Sequence, residues 1–93
     1  MSKSKVSFLL NVDICVEKDE GKFHAFCPAF KGLRTEGDTL REAIDNAKTA
    51  VSAYVISLIK HKEPIPCCRI VRKECPDENI HNEDVNIPEM ACA

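Results

Sequence analysis

Thiols, histidines and one carboxylate in a strand-like run are the side chains of this sequence that could do chemistry. The six cysteines are Cys15, Cys27, Cys67, Cys68, Cys75 and Cys92. Zinc sites favour cysteine pairs separated by about two to four residues, but Cys67 and Cys68 are adjacent and Cys75 follows seven residues after Cys68. The spacing therefore predicts no metal site, even with His81 nearby. We expect reduced, mostly buried thiols in a reducing compartment, and no cofactor.

Asp13 is the one position that suggests a metal-dependent nuclease, because it lies in the middle of the first predicted strand. Such a site needs several carboxylates that converge on metal ions. Glu36 and Asp38 are better explained by the start of a helix, and Asp45 by a solvated helix face. His24 has no serine or cysteine with an orienting acid nearby, and the glycine-rich phosphate motifs are absent. The sequence therefore predicts a protein that is not an enzyme.

Composition and charge indicate one small globular domain with an acidic end. The 93 residues are 44% apolar and 30% charged. All 13 Lys and Arg lie in residues 1–74 with ten acids, whereas residues 75–93 hold five acids and no Lys or Arg, so +3 and −5 sum to the net charge of −2. This balance is a poor match to nucleic acid and suits a basic protein partner, or solubility alone. With no signal peptide and no apolar run of about 18 residues, we expect a cytoplasmic protein.

The element that positions everything else is a helix that begins after Thr39. Thr39 and Glu42 form a capping-box pair, in which Thr39 accepts from the amide of Glu42 and Glu42 reaches back to the amide of Thr39. Apolar residues then recur at spacings of three and four, which predicts one buried stripe: Leu40, Ala43, Ile44, Ala47, Val51, Tyr54, Val55 and Leu58. Pro64 and Pro66 end the helix.

Strand patterns lie on both sides of that helix. Residues 6–17 alternate, with Val12, Ile14 and Val16 on the buried face and Leu9 and Cys15 on the other. A turn at residues 18–22 leads to a second strand at 23–27, whose register depends on whether Gly21 makes a bulge, and a third follows at 33–36. Residues 67–72 are predicted as a fourth strand, parallel to the first, through a right-handed crossover.

The expected fold is therefore α+β: β-β-β-α-β, with a four-stranded mixed sheet in the order 3-2-1-4 and one long helix on one face. We expect the domain to end at residue 73. Residues 74–93 are predicted to be an acidic tail that is extended or partly disordered. A short segment of it, residues 84–87, could pair as an extra strand, perhaps on another subunit.

Three motifs together resemble the HicB antitoxin family. They are the loop CPAFKG, the helix start TEGDTLREAIDNAKTAV and the exit EPIP, and the resemblance covers about residues 8–72. It implies a truncated RNase H-like domain that binds and blocks a HicA-like toxin, a small basic protein that cleaves mRNA. Family loops usually carry an acid, a leucine and a second proline where this chain has Ala29, Phe30 and Lys31. Many members also continue into a DNA-binding domain, which this short form is not expected to have.

The resemblance and the acidic tail together give the residues expected to contact a toxin: Phe30, Lys31, Glu36, Asp38, Asp84 and Glu89. Because one helix covers only one sheet face, we also expect a homo-oligomer, with an interface that includes Leu9, Cys15 and Ile56.

The alternative is a solitary oligomeric HicB-like domain that binds another protein or a small ligand. A nucleic-acid binder is a third reading, although residues 47–50 give it only a faint resemblance to part of a double-stranded-RNA-binding domain. A residual nuclease is the fourth.

Overall fold

The computed structural model of the chain describes residues 8–66 and 75–88. In chain order its elements are β1 (Phe8–Asp19), β2 (Lys22–Phe26), β3 (Arg34–Gly37), α1 (Leu40–Lys60), a 3₁₀ turn (Asp77–Asn79) and β4 (Ile80–Ile87). Within these residues the strands form one four-stranded sheet in the order β3-β2-β1-β4. The predicted strand order and the single long helix are confirmed.

The fourth strand differs from the prediction in both direction and position. β4 is Ile80–Ile87, and it pairs antiparallel with β1, so that Leu10 lies opposite Val85 and Val12 opposite Glu83. The sheet of the described residues is therefore antiparallel throughout, and the prediction of a mixed sheet is wrong. The handedness rule for a crossover applies only when the two strands are parallel. The connection of residues 61–79 is long enough for the chain to enter the sheet from either end, so an antiparallel fourth strand is equally accessible. The strand predicted at residues 67–72 lies outside the described residues.

One face of the sheet and the apolar stripe of α1 make the core. On the predicted face of β1, Val12 and Ile14 are fully buried. Ala43, Ile44, Ala47, Val51 and Val55 line the buried side of the helix. Phe30, in the loop after β2, also packs into this core, and its ring lies 4.9 Å from that of Tyr54. The alternating apolar residues of β1 and the apolar stripe of α1 therefore pack against each other in one layer.

A two-residue turn settles the register of the β1–β2 hairpin. Glu20 and Gly21 both have positive φ, 52° and 83°, which is the backbone of a type I′ turn. Asp19 lies directly opposite Lys22, and the ladder continues without a bulge to Cys15 opposite Phe26. Ala25 therefore faces the helix beside Val16, and the question that the sequence left open at Gly21 is answered.

The start of α1 follows the predicted cap with one change of partner. The amide of Glu42 donates to Oγ1 of Thr39 at 3.0 Å. Oε1 of Glu42, however, accepts from the amide of Asp38 at 2.7 Å instead of the amide of Thr39. The first bond satisfies a backbone donor in the first turn, where the helix has no internal acceptor for it, and the second satisfies the amide just before the N-cap.

The β3–α1 corner is tight, and Gly37 allows it. A Cβ at this position would lie 2.6 Å from the backbone nitrogen of Ala43, which is too close for any other residue without a shift of the helix. Asn46 donates to the carbonyl of Glu36 at 2.9 Å, and Thr35 donates to the carbonyl of Ala43 at 3.2 Å. These contacts fix the angle at which the helix crosses the sheet.

Candidate protein-binding surface

The sheet face opposite the helix carries a row of amide and carboxylate side chains that join β1 to β4. Asn11 Nδ2 donates to Asn82 Oδ1 and to Asp84 Oδ1, both at 2.7 Å. Asn82 Nδ2 donates to Asn11 Oδ1 at 2.7 Å and to Asp13 Oδ1 at 2.8 Å. We call these four residues, Asn11, Asp13, Asn82 and Asp84, the polar ladder. Because each amide bridges two acceptors, the ladder holds the side chains of β4 in register with β1.

Next to the polar ladder, a disulfide bond covers the middle of β1. Cys15 is bonded to Cys75, which precedes the 3₁₀ turn and lies 60 residues further along the chain. Both residues are buried. The expectation of reduced thiols is wrong for this pair, because the chain after residue 74 returns over the open sheet face and brings the two sulfurs together. Cys15 is therefore covered by its own chain, which contradicts its predicted place in an oligomer interface.

On the other side of β4, two cations of α1 hold an acidic side chain. Glu83 lies 3.5 Å from Lys48 Nζ and 3.9 Å from Arg41 Nη2. Beyond this pair, a shallow groove of about 430 Å³ runs between the helix and the outer edge of β4. Its lining is mostly small or apolar: Lys48, Thr49, Ser52, Ala53, Ile56, Val85 and Asn86.

The residues predicted to contact a toxin do not form one site. Phe30 is 1% exposed and belongs to the core, so its prediction as a contact residue is wrong; the loop turns this ring inward against α1. Lys31 is exposed at the same loop. Glu36 lies 3.8 Å from Nδ1 of His24 on the open face, and Asp38 accepts from Lys22 at 3.3 Å near the start of α1.

Asp84 lies far from these residues. Asp84 of β4 pairs with Asn11 of β1. Glu36 belongs to β3, three strands from β4, and lies in the row of paired residues that includes Glu17 of β1. Strand spacing and rise put the two carboxylates roughly 14 Å apart across the sheet and 20 Å apart along it. Glu89 lies outside the described residues. Asp84 is thus the predicted contact that belongs with the polar ladder and the β4 edge.

The predicted interface residues Leu9 and Ile56 also lie on different surfaces. Leu9 is 66% exposed on the open face, at the start of β1. Ile56 is half-buried and lines the groove between α1 and β4. The sequence alone does not predict the polar ladder or the groove, because both depend on β4, which the sequence analysis places in the acidic tail.

The carboxylate of Asp13 is part of the polar ladder. Asp13 accepts a hydrogen bond from Asn82 in the polar ladder. Within residues 8–66 and 75–88, no group of three or more His, Cys, Asp or Glu side chains is arranged to hold a metal ion. In the same part of the chain, no helix is long and apolar enough to cross a lipid bilayer.

Comparison with solved structures identifies the fold. The N-terminal domain of the Burkholderia pseudomallei antitoxin HicB superposes with a TM-score of 0.63 at 26% identity, over 82% of this chain and 95% of that one. A chain of the HicA3 and HicB3 toxin-antitoxin complex gives a TM-score of 0.58 at 19% identity, over 84% and 98%. At this identity the second match shows the fold alone.

Sequence comparisons agree. A UPF0150 protein of Synechocystis is 42% identical over 59 residues, which is 62% of this chain and 75% of that protein. A UPF0150 protein of Thermoplasma acidophilum is 43% identical over 54 residues, or 57% and 78%. The model of the family described as HicB_like antitoxin of bacterial toxin-antitoxin system matches residues 12–89, which include β4. The chain therefore belongs to the HicB-like antitoxin family.

Proposed function

We propose that this protein is a non-catalytic antitoxin, which binds and neutralises a HicA-like toxin, a small basic protein that cleaves mRNA. The observation that carries the proposal is the family match over residues 12–89 together with the fold of the HicB N-terminal domain. A domain that inhibits by occupying a partner surface needs no chemistry of its own. The proposed place of action is the cytoplasm, where mRNA is translated.

Charge supports a basic partner. β4 and the turn before it carry Asp77, Glu78, Glu83 and Asp84, and residues 75–93 contain no Lys or Arg. Glu83 is paired with cations of α1, but Asp84 is exposed at the end of the polar ladder. Surface charge of one sign speeds the encounter with a partner of the opposite sign, and this effect weakens as salt screens it.

Co-expression tests the proposal. This chain would be produced with any small basic protein encoded beside it, or with a HicA-like toxin, and the mixture would be analysed by size exclusion with light scattering. We expect a stable hetero-complex in which cleavage of RNA by the partner is silenced. If the two proteins elute separately at micromolar concentration, the antitoxin proposal is wrong.

A solitary oligomeric domain is the second candidate, and it is favoured by exposed apolar side chains at the start of β1. Leu9 is 66% exposed and Phe8 is 39% exposed. Phe8 lies on the helix side of the strand and Leu9 on the open face, so a second subunit could cover either one, and exposed apolar surface often marks an interface between subunits. Light scattering of the chain alone decides: a homo-oligomer that dissociates in the Leu9→Lys variant, with no binding to a basic neighbour, would support this candidate.

A further inference from the structure

The outer edge of β4 presents a defined set of backbone groups. Residues that flank a two-residue type I′ turn, here Asp19 and Lys22, exchange both backbone hydrogen bonds, and such pairs alternate along an antiparallel ladder. Odd-numbered residues from Cys15 to Asp19 therefore bond to β2, and the even-numbered residues of β1 bond to β4. Since Leu10 pairs with Val85 and Val12 with Glu83, the odd-numbered residues of β4 point their amides to β1.

The even-numbered residues of β4 consequently direct their backbone groups outward. The first of them, Ile80, already has a partner, because its amide donates to the carbonyl of Asp77 within the 3₁₀ turn. The backbone amides and carbonyls of Asn82, Asp84 and Asn86 also point outward, and within residues 8–66 and 75–88 no strand pairs with them. An edge of this kind is a template for an added strand.

This edge is held ready for pairing by the side chains of the same residues. Asn82 and Asp84 both belong to the polar ladder, so their side chains are bonded to β1 at 2.7–2.8 Å. A strand that is already ordered loses less conformational entropy when a partner adds to it.

The groove beside the edge fits the side chains of an added strand. Alternate residues of such a strand point to the helix side, where Ser52, Ala53 and Ile56 leave a shallow apolar floor. The intervening residues point to the open face, where the nearest charged group is Asp84. The complementary segment thus alternates small apolar residues with Lys or Arg.

Charge also argues against a second copy of this chain as the occupant. Antiparallel pairing of two β4 edges places residues of equal parity opposite each other, so the two registers nearest the midpoint put Glu83 opposite Glu83 or Asp84 opposite Asp84 of the other copy. Like charges that lie directly opposite each other destabilise a strand pair. A basic segment avoids this repulsion.

From these observations we propose that the toxin binds by adding an extended basic segment to the outer edge of β4 as a fifth strand. This inference rests on the proposed antitoxin function and assigns it to one surface. It is a β-augmentation mode, in which main-chain hydrogen bonds supply affinity and alternate side chains supply specificity.

Hydrogen exchange of single amides, measured by NMR, tests the inference with a HicA-like toxin as the probe. In the protein alone, the amides of Asn82, Asp84 and Asn86 should exchange fast, whereas those of Glu83 and Val85 should be protected. On binding, the fast set should become protected. Binding that leaves the fast set unprotected would overturn the inference and leave the antitoxin function standing, whereas the absence of any binding would overturn both. Protection of the fast set in the protein alone would also overturn it, because the edge would then be occupied by this chain itself.

A matched pair of variants gives an independent readout. Asn86→Pro removes one outward amide at a position where the ladder to β1 needs none, and Asn86→Ala removes only the side chain. We expect the proline to weaken toxin binding by about tenfold or more, since one main-chain bond and the close approach are lost, and the alanine to leave it nearly unchanged. Equal affinities of the two variants would contradict the inference. Circular dichroism of Asn86→Pro confirms its fold, and if it does not fold, the exchange experiment on the unaltered chain decides.

Discussion

Residues 8–66 and residues 75–88 contribute to one sheet, but they are attached to it in different ways. In the first region each element contacts one that is near in sequence: a two-residue turn joins β1 to β2, and a capped helix follows β3 directly. In the second, β4 is held by a ladder to β1, by the polar ladder and by the Cys15–Cys75 bond, all of which join residues about 60 or more positions apart. Local signals therefore specify the first region, and long-range contacts specify the second.

This difference has a functional side. In the proposed mode of binding, the region that carries the motifs of the family is mostly a scaffold, whereas the later strand supplies the acidic groups and the outer edge, with which no strand of residues 8–66 and 75–88 pairs. Perturbing each region separately should show whether the second depends on the first.

Loss of the Phe30 ring should break the first region, and with it the whole fold. Phe30→Ala leaves a cavity against Tyr54 and should lower the free energy of unfolding by about 3–5 kcal/mol in urea denaturation. Phe8→Ala is the matched control, since Phe8 is partly exposed, and it should cost clearly less. Equal losses would show that the loop after β2 is not part of the core.

Opening the disulfide should loosen the second region while leaving the first in place. Peptide mapping under non-reducing conditions should find Cys15 linked to Cys75. Reduction should lower the free energy of unfolding by about 2–4 kcal/mol, because the bond closes a long loop in the unfolded chain. A variant with Cys15→Ala and Cys75→Ala should not respond to reductant. If the denaturation midpoint of the wild type stays constant although the bond is shown to open, this account of the second region is wrong.

The helix cap tests a local signal of the first region. Thr39→Ala removes the acceptor of the Glu42 amide and should cost about 1 kcal/mol, measured by thermal or urea denaturation. Thr49→Ala, in the exposed middle of the same helix, should be neutral or slightly stabilising because alanine has the higher helix propensity. A neutral Thr39→Ala would mean that packing alone fixes the start of the helix.

The polar ladder tests the attachment between the two regions. A double-mutant cycle with Asn11→Ala and Asn82→Ala should give a coupling free energy of about 0.2–1 kcal/mol, since the two amides bond across the strands. The same cycle between Asn11 and Asn46, which bonds to β3, should give no coupling. If neither cycle shows coupling, the polar ladder does not hold β4 in register.

Sequence reasoning succeeded where the signal lies within a few residues. The cap at Thr39, the stripe from Ala43 to Val55 and the alternation of β1 were all readable, because each reflects the period of its own element. The strand order also followed, since a hairpin and a helix leave few places for a fourth strand.

The fourth strand itself was harder to find. Its sequence, IHNEDVNI, alternates clearly only over its last four residues, and its apolar face includes His81 and Glu83. Glu83 is tolerated there because Lys48 and Arg41 reach it, which no local pattern reveals. The polar residues at Asn82 and Asp84 were a usable signal, since asparagine and aspartate also recur at every second position of β1, at Asn11 and Asp13.

Titration of a HicA-like toxin with this chain, read as the rate of RNA cleavage, tests the central claim most directly. The antitoxin account predicts that cleavage falls in proportion to the added chain and stops near a fixed molar ratio, with the Asn86→Pro variant needing a clearly higher concentration. Cleavage that continues unchanged with this chain in excess over the toxin would contradict the account.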